Sequence, residues 1–206
     1  MRNQARTILD FLSFSERIKR ELRHSWLSDG RRESVAEHSW QMALMAILVT
    51  PHLRRPVDLL RVLEMIVVHD LTEAVIGDIP AFEVSPRQDA KRRREAEAAL
   101  RIRDSLDADT GGHVYALFLE LETGGTSEAK LVHALDRLEV QVQHNLAADE
   151  TWEPVEYPMV FNRLSQPCRH DPFLVALAEL VEADGAAKMA AAGIDVAAVR
   201  RAAEAA

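Results

Sequence analysis

The chain has 206 residues, 48% apolar and 28% charged, which is enough for one domain with a buried core and gives no reason to expect disorder. Its 33 acidic residues outnumber 25 basic ones, and a formal charge of −8 argues against a general binder of long nucleic acid. One cysteine excludes an intrachain disulfide framework and a Cys-rich zinc site, whereas eight histidines leave room for a site of imidazole and carboxylate.

Met1-Arg2-Asn3 is followed by an amphipathic stretch, not by the apolar core of a signal peptide. Residues 4–22 place Ile8, Leu9, Leu12, Ile18 and Leu22 at helical intervals. Ser34-Val35-Ala36-Glu37 has the form of a capping box and predicts a helix to about Val49, before Thr50-Pro51. That helix is apolar on nearly every side, so it should be central, with Trp40 in the core. A third helix is expected over residues 57–76, ending at Gly77. Ser85-Pro86, with proline at the first helical position, opens a highly charged helix to about Leu106. Gly111-Gly112 and Gly124-Gly125 bracket a short helix, and Ser127 caps a long one to about Ala148. Asp171-Pro172 begins another, ended by Gly193.

Strand alternation is hard to find, so an all-α single domain of six or more helices is expected. The longest apolar run, residues 43–49, is far too short to span a bilayer. A reduced, cytoplasmic location follows as the default, with Cys168 an ordinary thiol. The basic run Lys91-Arg92-Arg93-Arg94 is followed by Glu95 and Glu97, and reads as a solvated face with i,i+4 pairs.

His69-Asp70 follows the apolar run Met65-Ile66-Val67-Val68, where a carboxylate is costly to bury unless paired or bound to metal. Glu73 lies four residues after His69 on the same helical face, and Asp78 follows Gly77. Taken singly, each has an ordinary explanation at a helix C-terminus. His38 lies in the central apolar helix with Met42, Met45 and Val49 on its side. Asp136 lies within Leu131-Val132-His133-Ala134-Leu135-Asp136-Arg137-Leu138, where a surface contact with Arg137 or Lys130 is the ordinary alternative. Four potential ligands on three apolar helices make a shared site more economical, because one divalent cation neutralises both aspartates and satisfies both imidazoles.

The order His38, His69-Asp70, Asp136 resembles the H…HD…D signature of the HD-domain metal-dependent phosphohydrolases. The longer words Glu33-Ser34-Val35-Ala36-Glu37-His38-Ser39, His69-Asp70-Leu71-Thr72-Glu73 and Gly77-Asp78-Ile79-Pro80 resemble the 5′-deoxynucleotidase branch. The resemblance covers roughly residues 5–160 and leaves the helices of residues 171–206 without a usable motif. It implies one HD domain over residues 1–206, a helical bundle around one metal held by His38, His69, Asp70 and Asp136. This nitrogen-and-oxygen ligand set suits Mn, Co, Fe, Ni or Zn. The implied activity is hydrolysis of a (deoxy)nucleoside 5′-monophosphate to nucleoside and phosphate.

Within that resemblance, Glu73 orients or deprotonates the attacking water, or holds a ligand imidazole in its tautomer. Asp78 contacts the sugar hydroxyl, with a plain turn residue as the alternative. Ile79, Pro80 and Ala81 line the nucleotide pocket, and the ligands His38, Asp70 and Asp136 face the substrate. Arg23-His24-Ser25-Trp26 resembles an Arg-x-Gly-Trp element, with Ser25 where Gly is usual. Arg23 then faces the phosphate, and Trp26 either packs on the sugar or anchors the core. Lys19 is a lesser phosphate candidate, better explained as part of a solvated face. The expected partners are a small phosphate ester and a second copy of the chain, with no long nucleic acid and no membrane. Two alternatives stand beside this: a binuclear HD oxygenase or phosphodiesterase using His113 and His133, and a non-catalytic nucleotide-binding scaffold.

Overall fold

The structure, a computed structural model, describes residues 1–80 and 82–205. Helices dominate, as expected, but the N-terminal region departs from the helical reading. α1 (Arg2–Ser15) gives way to a 3-10 turn over Glu16–Lys19 and then to β1 (Leu22–Trp26), antiparallel to β2 (Arg32–Ser34). Ile18 and Leu22 therefore do not continue a helix. The β1 backbone finds its partners in β2, and Gly30, at φ +86°, turns the chain between them. The hairpin brings Arg23, His24 and Ser25 to the functional cavity.

α2 (Val35–Val49) begins where the sequence implies. The Glu37 N–H donates to Ser34 Oγ, and the Ser34 N–H donates to Glu37 Oε2 at 2.9 Å, so both halves of the capping box form. Val35, His38, Met42, Ala46 and Val49 are buried along one face. The opposite face is not: Trp40 is 65% exposed and Leu44, Ile47 and Leu48 accompany it. Trp40 is therefore not a core residue. A helix that is apolar all round has no polar side to mark which face turns inward.

α3 (Leu59–Val68), capped by the Asp58 side chain, stops eight residues before the expected end. Turns over residues 69–72 separate it from α4 (Glu73–Ile76). α5 (Pro86–Asp89), capped by Ser85, precedes α6 (Lys91–Asp104). α7 (Ala108–Thr123), capped by Asp107, runs straight through Gly111-Gly112 and is longer than the glycines suggested. Gly111 is there because α6 passes close: a Cβ would meet the Arg103 carbonyl oxygen at 2.2 Å. α8 (Ser127–Leu146) is capped by Thr126 and not by Ser127. α9 (Met159–Asn162), α10 (Ser165–Cys168), α11 (Pro172–Ala191, capped by Asp171) and α12 (Val196–Glu204) complete the chain.

α8 is the central column, packed against α2, α3 and α11. Met42, Met65, Ile66, Leu131, Leu135, Leu138 and Leu174 are buried around it. Each such side chain contributes about 1.5–3 kcal/mol by leaving water. The same helix carries buried Glu139, Gln141 and Gln143, of which Glu139 meets His38 and Gln143 reaches the Trp26 carbonyl of the hairpin. Among the described residues, no helix is long and apolar enough to cross a membrane.

Candidate metal centre

Three elements converge. His38 comes from the first turns of α2, His69 and Asp70 from the end of α3, and Asp136 from the middle of α8. His69 Nε2 and His38 Nε2 face each other at 3.4 Å. Asp136 Oδ1 lies 3.3 Å from His38 Nε2, and Asp70 Oδ2 lies 3.1 Å from His69 Nε2 and 3.8 Å from His38 Nε2. The other ring nitrogens are committed. His69 Nδ1 donates to the Ile66 carbonyl at 2.7 Å, and His38 Nδ1 donates to the buried Glu139 carboxylate. Each imidazole therefore turns its Nε2 lone pair toward the other and toward two carboxylates. Four electron-rich atoms in a buried corner repel one another unless a cation or a proton joins them.

A proton alone produces strong shifts. Burial and the Arg23 charge oppose protonation of His38, yet the Asp136 and Glu139 carboxylates push it up to about 10. Burial raises Asp70 and Asp136, but the neighbouring imidazoles hold both below the usual carboxylate range, and for Asp70 Arg23 adds to this. His38, His69 and Asp136 offer ligand atoms within 4.8 Å of one another, a fit for one divalent ion. Asp70 stands at the edge of that group, also paired with Arg23 Nη1 at 3.3 Å.

A layer behind the cluster was not legible in the sequence. Glu139 is fully buried against His38, and buried Glu33 places Oε2 3.4 Å from Arg23 Nε. Burial and then the Glu139 charge push Glu33 up to about 7. Glu139 is three residues after Asp136, on the same side of α8 and between Leu138 and Val140. A charged residue at that spacing in an apolar stretch was the available signal.

In front of the cluster lies a cavity of about 340 Å³. Arg23, Asp70, Glu73, Asp78, Ile79, Pro80 and Asp136 all line it. His38 is fully buried behind the wall. Ala81 lies outside the described residues. Glu73 is 5% exposed and its Oε2 has no hydrogen-bond partner among the described residues. Burial, then the Asp70 and Asp78 charges, push it well above the usual carboxylate range. The Asp78 N–H donates to Glu21 Oε1 at 2.9 Å, while its carbonyl accepts from Arg87 Nη2. Burial raises Asp78 as well, against the lowering effect of Arg23.

One sequence expectation does not find its place here. Trp26 is not part of the cavity wall; its carbonyl accepts from Gln143 Nε2 at 2.7 Å, so packing on a sugar has no support. Lys19 is exposed and outside the wall, in keeping with a solvated face, and Lys91, Arg137 and Arg163 supply positive charge to the wall. Lys91 also pairs with Glu95 at 3.8 Å, as the i,i+4 spacing implied. Arg137 approaches Asp136 Oδ2 at 3.9 Å, so the ordinary explanation of Asp136 is partly realised beside its place in the cluster. His24 and His144 also line the cavity.

A helical bundle that presents a histidine, a His-Asp pair and a distant aspartate at one cavity defines an HD-type hydrolase centre. The chain belongs to the HD domain family, whose model matches residues 15–169. It is 33% identical to the human 5′-deoxynucleotidase HDDC2 over 190 residues, 91% of each chain. It is also 33% identical to the Schizosaccharomyces pombe 5′-deoxynucleotidase hdd1 over 147 residues, 66% of this chain and 70% of that one. Among solved structures it is similar to one described as a predicted metal-dependent phosphohydrolase from Magnetospirillum magnetotacticum. The TM-score is 0.74 at 28% identity, over 90% of this chain and 96% of that one.

Proposed function

We propose that the chain is a metal-dependent phosphomonoesterase that hydrolyses (deoxy)nucleoside 5′-monophosphates to nucleoside and phosphate. The observation that carries this is the pair of imidazole Nε2 atoms facing each other at 3.4 Å beside two aspartates that line a cavity together with Arg23 and Glu73. The names of the human and fission-yeast relatives support a nucleotide as substrate.

His38, His69, Asp70 and Asp136 are the residues that would hold one divalent ion, with Mn, Co, Fe, Ni and Zn all compatible with their donors. When bound, the ion supplies Lewis-acid chemistry at the phosphoryl group and offsets the charge of both aspartates. Arg23, held between Glu33 and Asp70, presents guanidinium donors to the phosphate. Glu73 orients the attacking water and takes its proton. A new P–O bond forms as the bond to the sugar 5′-oxygen breaks, and the proton accepted by Glu73 becomes available to that oxygen. Asp78 accepts from the sugar hydroxyl, beside Ile79 and Pro80.

The binuclear alternative lacks support. His113 pairs with Glu64 at 3.2 Å and His133 with the Leu121 carbonyl at 2.9 Å, and neither joins the cluster. We further propose that the whole chain is one HD domain, a reading supported by α11 lying along α8. A homodimer is proposed as well, supported by the apolar exposed face of Trp40, Leu44, Ile47 and Leu48. The proposed location is the cytoplasm, in keeping with the buried free thiol of Cys168.

The test is phosphate release from a panel of ribo- and deoxynucleoside monophosphates with Mn or Co added. Asp70→Ala should lose metal and turnover together, whereas Glu73→Ala should keep the metal and lose turnover. Retained turnover in Glu73→Ala removes that residue from the mechanism. A metal-loaded chain that hydrolyses no phosphate ester supports the binding scaffold instead.

A further inference from the structure

The cavity is longer than a phosphate needs. Asp136, Val140 and His144 line it from successive turns of α8, so it follows that helix for eight residues, about 12 Å. One end is the acidic and histidine cluster. The other end is aromatic and carries no part of the HD signature. There the rings of His24 and Phe82 meet edge to face, with centroids 4.9 Å apart. His144 lies 6.5 Å from His24 and is backed by Trp152.

These rings are held from behind. Glu156 is 5% exposed, and its Oε1 lies 3.4 Å from His24 Nε2 and 3.6 Å from His144 Nε2. Its Oε2 accepts from the Glu153 N–H at 2.7 Å. Trp152 Nε1 donates to the His144 carbonyl at 2.9 Å. Side chains fixed in this way lose little freedom when a flat ligand enters, which is how a small site gains affinity. The nearby Glu156 carboxylate raises His24, while burial lowers His144.

We propose that this end of the cavity is the subsite for the nucleobase. His24, Phe82 and His144 form its walls, and Glu156 is the positioning residue that fixes both imidazoles. The ligand class is a planar nitrogen heterocycle joined through a sugar to the phosphate held two turns away along α8. Val140, between the two ends, is the apolar floor under the sugar. The proposal rests on the phosphomonoesterase reading above, and it gives the segment around residues 152–164 a substrate-binding task.

The experiment compares a deoxynucleoside 5′-monophosphate with base-free 2-deoxyribose 5-phosphate, using the full metal-loaded chain. Wild type should prefer the nucleotide by about tenfold or more in kcat/KM, the range that base–aromatic stacking gives. Phe82→Ala and His24→Ala should abolish most of that preference, chiefly through KM, while base-free hydrolysis stays within about twofold. Glu156→Gln should raise KM for the nucleotide alone, a split that a merely structural role would not produce. Equal rates on the two esters in wild type, or equal losses on both in every variant, overturn the subsite and leave the phosphatase reading standing. If no ester is hydrolysed, the phosphatase reading fails. Equilibrium binding of a free deoxynucleoside to wild type and Phe82→Ala then decides the subsite: weaker binding to the variant supports it, and equal binding overturns it.

Discussion

Adjacent glycines on α7 should respond to the same substitution with opposite signs. Gly111 faces α6, where an added Cβ would sit 2.2 Å from the Arg103 carbonyl oxygen, whereas a Cβ at Gly112 meets nothing within 4 Å. A carbon and a carbonyl oxygen approach no closer than about 3.3 Å, so Gly111→Ala requires the two helices to part by roughly 1 Å. Overpacking of this kind costs about 1–3 kcal/mol, offset by about 0.5–1 kcal/mol from the better helix propensity of alanine. The net expectation is a loss of about 1–2 kcal/mol. Gly112→Ala has the propensity term alone and should gain about 0.5–1 kcal/mol. Urea unfolding of the two variants beside wild type reads the difference directly, with equal slopes as the check that only stability changed. At this chain length each kcal/mol moves the Tm by about 2–4 °C. Equal stability of the two variants would refute the close α6–α7 approach. So would a Gly111→Ala protein more stable than wild type.

Three further outcomes follow from the site and its supports. Glu139→Gln keeps the shape of a fully buried side chain but removes the charge behind His38 Nδ1, so metal affinity should fall about 10–100-fold while the fold survives; calorimetric titration with Mn or Co checks it, and an unchanged affinity refutes it. Gly77 adopts φ +76° and ψ 159°, a region open essentially to glycine alone, and a Cβ there would press Glu21 Oε1 at 3.1 Å, the oxygen that accepts from the Asp78 N–H. Gly77→Ala should therefore cost about 1–3 kcal/mol and raise KM for the nucleotide, measured by unfolding and steady-state kinetics. Glu37 is lowered to about 2, first by Arg31 and then, against burial, by Ser34. A lowered carboxyl stabilises the fold above its unfolded value near 4.5, and that contribution is lost as pH falls toward 2. The stability gap between wild type and Glu37→Gln should be constant above about pH 5 and shrink below it, as urea titrations at several pH values will read.

Much of the site was legible because its chemistry is written in residue types that apolar helices do not otherwise carry. His38, His69, Asp70 and Asp136 stand out against Met, Ile, Val and Leu neighbours, and His38, His69 and Asp136 form a compact cluster with Asp70 at its edge. The capping box at Ser34 was readable for a similar reason, since it depends on four consecutive residues and nothing distant. Asp58, Ser85, Asp107, Thr126 and Asp171 cap their helices by the same local rule. Failures came where the deciding partner is remote. Leu22 and Trp26 form a strand because Ser34 and Arg32 pair with them. Gly111 sits inside a helix because α6 crosses it.

The sequence by itself determined the helical class, the capped starts of α2, α5 and α11, and the residues of the His-Asp cluster, because each is set by composition, by local capping or by side chains costly to bury alone. Only the tertiary structure decided which face of α2 turns inward, leaving Trp40 exposed, and which cations reach the cavity, namely Lys91, Arg137 and Arg163 beside Arg23. It also supplied the carboxylates behind the site. Glu139 meets His38 across 101 residues of chain, and Glu156 draws together His24 and His144 from a hairpin and a helix. Packing brings such groups together, and no local pattern in the chain specifies which distant partner a buried charge will find.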